Sequence, residues 1–148
     1  MLFNNLKDFI YIEKIFSDEL VLNSITEENT KFLDNIIKIC IQTYKIKLEN
    51  KDFKVIPCDD FYFNQYQIKS GPYKEIFEVK NNYYKYILCI IFLDNNSLIK
   101  IMNEIYHPKI GEIYLFPSAW FFTFEIIKKN NYENSYLINN IIHSYNKR

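Results

Sequence analysis

Two hydrophobic periods divide the chain. Phe32, Leu33, Ile36, Ile37, Cys40 and Ile41 recur at i, i+3 and i+4, the stripe of one helix face. Thr30 stands where an N-cap belongs, and the spacing predicts a helix over about 30–46. Upstream, Ser17 is followed by Asp18 and Glu19, acids suited to a first turn, and a shorter helix is predicted over about 18–26, behind a short apolar segment at 9–15. From Phe53 onward the helical period gives way to short runs rich in Tyr, Phe and Ile: FYFNQYQIKS, YKEIFEV, YKYILCIIFLD, SLIKIMNEIY, EIYLFP and WFFTFEII. Asn, Gly and Pro turn signals separate them, so six or more strands are predicted. The last segment, NSYLINNIIHSY, suits a strand or a helix equally. Helices followed by strands, with no repeat and no linker, describe one α+β domain built as a sandwich or barrel.

Composition refines this picture without naming a function. Hydrophobic residues make up 49% of the 148, against only 2 Gly and 4 Pro, which excludes a disordered or linker-dominated chain. The counts of 25 Ile, 18 Asn and 17 Lys against a single Ala (Ala119) mark an AT-rich coding bias, so lysine runs are discounted. The 18 basic and 18 acidic residues cancel, and no field favours nucleic acid or an anionic membrane. Cys40, Cys58 and Cys89 are widely spaced, without a C-x-x-C pair, and are read as buried thiols in a reducing setting. The opening MLFNNLKDFIYIEKIF has acids from Asp8 on, and the longest apolar run, residues 86–93, falls far short of the ~20 residues of a spanning helix. The expectation is a soluble, cytoplasmic (intracellular) chain.

Three segments, in order, resemble the Fe(II)/2-oxoglutarate dioxygenases of the prolyl-4-hydroxylase type. FIYIEKIFSDELVLNSI (9–25) is similar to that family's first strand and following helix. YILCIIFLDNN (86–96) is similar to a strand ending in a Tyr-Leu-Asn-like turn. PKIGEIYLFPSAWFF (108–122) resembles the P-K-x-G-x-x-x-x-F-P-S stretch that leads to the distal iron-binding histidine. The fold implied is a double-stranded β-helix, a jelly-roll barrel behind N-terminal helices, with residues 1–148 forming a single degenerate domain of this type. In it, residues 111–117 form a turn and a core strand.

The resemblance also implies where the family's functional groups belong, and there this chain departs from it. Family members hold iron with two histidines and a carboxylate on one face. The H-x-D/E pair falls at Phe77 and Val79, the distal histidine at Phe124 (or Phe122 with a shorter gap), and the cation that grips 2-oxoglutarate at Ser135, before Tyr136. None of these supplies the donor required, and Arg148 is the only arginine. If the family geometry holds, Phe77, Val79 and Phe124 meet at one point. His107 and His143 lie outside these slots and read as ordinary surface or half-buried residues; His107 with Asp94 or Glu104 is the one remaining metal arrangement.

Other constellations are weaker. Asp59 and Asp60 are adjacent and read as a solvated turn. Two glycines leave no phosphate-cradling loop, so P-loop nucleotide hydrolysis is excluded. Phe61, Tyr62, Phe63, Tyr66, Tyr73, Tyr83, Tyr84 and Tyr86 are too many for one sheet face, and about half are expected to point away from the core, where they form a Tyr-rich surface suited to an interface. The sequence therefore points to a non-catalytic homologue of the dioxygenases that binds a protein partner or small ligand and carries no cofactor. The other outcome is an active prolyl-hydroxylase-like oxygenase, using Fe(II) and 2-oxoglutarate through ligands not placed.

Overall fold

A computed structural model describes residues 10–17, 22–49, 60–63, 65–76, 85–117 and 123–144. Among these the architecture is mostly antiparallel β with one long helix, an α+β arrangement. The elements are β1 (Tyr11–Lys14), α1 (Leu33–Glu49), β2 (Asp60–Phe63), β3 (Gln67–Lys69), β4 (Tyr73–Ile76), β5 (Lys85–Phe92), β6 (Ser97–Ile101), β7 (Glu104–Tyr106), β8 (Glu112–Pro117), β9 (Thr123–Lys128) and β10 (Tyr136–Ser144). The ambiguous last segment is a strand.

The pairing follows a simple rule. β3 pairs with β10, β4 with β9, β5 with β8, and β6 with β7, each antiparallel, so β3–β6 and β7–β10 form the two arms of one long ribbon. The ribbon turns back at Met102, which holds a left-handed φ of 56°. It is then rolled, because β10 also pairs with β5 and β6 with β9. Successive pairs therefore alternate between two sheets: one in the order β1-β8-β5-β10-β2 with β3 also on β10, the other β4-β9-β6-β7. β1 and β2 extend the first sheet at its two sides.

Burial explains why β5 reads as an unbroken apolar run. Ile87, Leu88, Cys89, Ile90, Ile91 and Phe92 are all buried, because one face of the first sheet meets the second sheet and the other meets α1. Across the sheets, Phe116 and Phe124 rings stand 5.8 Å apart and Tyr106 and Tyr114 6.2 Å. On the other face, α1 buries Leu33, Ile37, Cys40, Ile41 and Tyr44, with the Tyr44 ring 6.0 Å from Tyr11. Of the stripe read from the sequence, Leu33, Ile37, Cys40 and Ile41 are buried and Ile36 is half-buried, whereas Phe32 lies before the helix and is exposed.

The expectation of N-terminal helices is corrected to one. Within the stretch predicted as a helix over 18–26, residues 18–21 lie outside the described residues, and only Leu22 and Asn23 are helical before a turn at Ser24. Asn23 and Ser24 are poor helix interiors, since their side chains compete for backbone groups. The second helix begins at Leu33, three residues later than predicted: Thr30 offers its carbonyl, not its hydroxyl, to Leu33 N–H (2.9 Å), and its hydroxyl donates to Glu27 O.

The predicted turn and core strand at 111–117 are observed. Gly111 has a φ of +84°, and its carbonyl accepts from Ile15 N–H (2.9 Å) while its N–H donates to Phe92 O (2.8 Å). A single glycine thereby joins the segment after β1 to the start of β8 and the end of β5.

Candidate functional site

Rolling the ribbon gives it an inside, and register says which side chains share that face. Residues paired across antiparallel strands point the same way. Ile138, Ile90 and Tyr114 align across three strands, as do Asn140, Leu88 and Phe116. Tyr136 pairs with Phe92, and their rings lie 6.4 Å apart. The second sheet contributes Tyr73, Tyr106 and Phe124. Phe92 meets Tyr114 edge-on at 5.3 Å, and Phe124 is held between Phe116 and Tyr73 at 5.8 and 5.7 Å. Aromatic side chains fill the space between the sheets.

One end of the roll is sewn shut by asparagines. Asn134, buried in the β9–β10 connection, accepts from Gly71 N–H (2.6 Å) and donates to Ser97 Oγ (3.0 Å), joining two connections to the start of β6. The Tyr136 hydroxyl donates to Gly71 O (3.1 Å), and burial pushes its pKa up to about 12, which keeps it a donor. Asn96 donates to Glu133 O (2.9 Å), and Asn95 accepts from Ile110 N–H (2.7 Å). Asp94 accepts from Asn96 N–H (2.9 Å), and burial raises its carboxyl pKa. Sequence reasoning missed this cluster.

The residues singled out from sequence are distributed as follows. Phe77 and Val79 lie outside the described residues, as do Phe122, Cys58, Asp59, Tyr83 and Tyr84. Phe124 lies on β9, 1% exposed, where its ring packs against rings and offers no metal donor. Ser135 is half-buried just before β10, its carbonyl accepting from Leu93 N–H (3.0 Å). Asp60 opens β2.

His107 and His143 belong to opposite ends of the roll. His143 pairs with Lys85 at the start of β5, whereas His107 lies in the link to Gly111, which bonds Phe92 at the end of β5. The seven-residue step from Lys85 to Phe92 is about 23 Å at strand rise, far beyond a shared metal's coordination sphere. Glu104 accepts from the Tyr106 hydroxyl (2.8 Å). Among the described residues no three His, Cys, Asp or Glu side chains gather to hold a metal ion.

One other expectation changes. Of the eight aromatics assigned partly to a Tyr-rich surface, those with described side chains face inward: Tyr66 is buried, Phe63 and Tyr73 half-buried. Tyr66, between β2 and β3, is buried and its hydroxyl donates to Asp34 of α1 (2.5 Å). Cys40 and Cys89 are buried free thiols at the α1–sheet contact. Burial, and next the Glu13 charge, pushes the Cys40 pKa up to about 11, and burial raises Cys89 further, so neither is a poised nucleophile.

A polar cavity of about 230 Å³ is lined by Gln65, Gln67, Ile138, Asn139 and Asn140. It sits where β10 passes from β3 to β2. Ile138 pairs with Gln67 and Ile141 with Phe63, three steps on one strand against four on the other, so the β2–β3 side bulges by one residue. Among the described residues, no helix is long and apolar enough to cross a membrane. Searches of protein-family models and of curated proteins give no match for this chain.

Proposed function

We propose that this chain is a non-catalytic homologue of the Fe(II)/2-oxoglutarate dioxygenases that acts as a binding or interaction protein. The nested pairing β3·β10, β4·β9, β5·β8 and β6·β7, rolled into two sheets, supports a jelly-roll barrel, the architecture the sequence resemblance implies. The observation that carries the functional part is Phe124. At the position that the resemblance assigns to the distal histidine, a ring with no donor atom is packed by Tyr73 and Phe116. Creating a metal site there requires donors where the chain has hydrocarbon, and a charged co-substrate buried without a cation costs several kcal/mol.

The test is thermal melting with metal analysis. The purified chain is expected to contain no stoichiometric iron and to keep its Tm when Fe(II) or Mn(II) is added with 2-oxoglutarate, because a ligand stabilises only through affinity for the folded state. A Tm that climbs at micromolar metal plus 2-oxoglutarate overturns the proposal in favour of an active oxygenase.

A further inference from the structure

We draw no further inference here: the strongest candidate, the exposed apolar pair Ile39 and Ile46 on the outer face of α1, carries nothing, because nothing in the structure shows what covers it.

Discussion

Tyr66, at the bulge between β2 and β3, donates its hydroxyl hydrogen to Asp34 Oδ1 in the first turn of α1, 2.5 Å away. This bond crosses 32 residues of sequence and fastens the edge of the first sheet to the helix that covers it. Burial first, and then Asp34, raises the Tyr66 pKa, so the hydroxyl remains a donor through the physiological range.

Tyr66→Phe keeps the ring and removes the bond. Hydrogen bonds to ionised groups are worth about 1.5–3 kcal/mol, and the half-buried Asp34 recovers part of that from water. The expected loss is about 1–2 kcal/mol in urea unfolding. A variant as stable as the parent would mean that α1 is held by its apolar stripe alone.

The two glycines form a matched pair. Both have positive φ, +80° at Gly71 and +84° at Gly111, yet a Cβ at Gly71 meets nothing within 4 Å, whereas at Gly111 it lies 2.1 Å from Phe16 O. Gly71→Ala should cost about 1–2 kcal/mol, the strain of the left-handed backbone. Gly111→Ala must also displace the chain after β1, and about 2–4 kcal/mol is expected. Equal melting points for the two variants would contradict the close approach of Phe16 to Gly111.

The legibility of this fold depended on how local each signal was. The α1 stripe and the strand runs were readable because burial imposes a period on neighbouring residues, as at Ile37, Cys40 and Ile41. The 18–26 helix was misread because a cap and two acids say where a helix starts but not that Asn23 and Ser24 stop it. The ribbon order was not written in any one segment, since β3·β10 joins residues about 70 apart. Coding bias explains why Asn is abundant but hides that Asn95, Asn96 and Asn134 close one end of the roll. The cavity beside β10 was invisible for a similar reason: Gln65 and Gln67 share its lining with Asn139 and Asn140, about 70 residues further along the chain. Of the three positions that the resemblance assigns to metal ligands, Phe124 is a buried residue of β9, whereas Phe77 and Val79 lie outside the described residues.

Alkaline pH should weaken the fold in a defined window. The Cys40 thiol has an ordinary pKa of 9.0 and one of about 11 when buried beside Glu13. A raised folded-state pKa means that the unfolded chain releases its proton first. The contribution is fully present below pH 9 and is lost as pH rises toward 11. The urea midpoint should therefore be flat from pH 7 to 8.5 and fall above 9, and Cys40→Ala should reduce the early part of that fall, before the tyrosines titrate. A parent midpoint unchanged at pH 10 would show that Cys40 is open to water.

Phe124 offers the sharpest measurement, because the same side chain carries the packing and the functional proposal. Its ring is 1% exposed between Tyr73 and Phe116, so Phe124→Ala removes a large buried group and leaves a cavity. The expected cost is about 3–5 kcal/mol. Phe124→His retains part of the ring but buries a polar imidazole, and a smaller loss is expected. A lone imidazole supplies one of the three donors that Fe(II) takes from the family triad, so Mn(II) with 2-oxoglutarate should not raise the Tm of Phe124→His. Adding Phe77→His and Val79→Asp completes the triad, and metal-dependent stabilisation should then appear if the backbone keeps the family geometry. Stabilisation of the single variant by Mn(II) would reveal metal donors already in place beside β9, and the chain would have to be read as an oxygenase with one ligand missing.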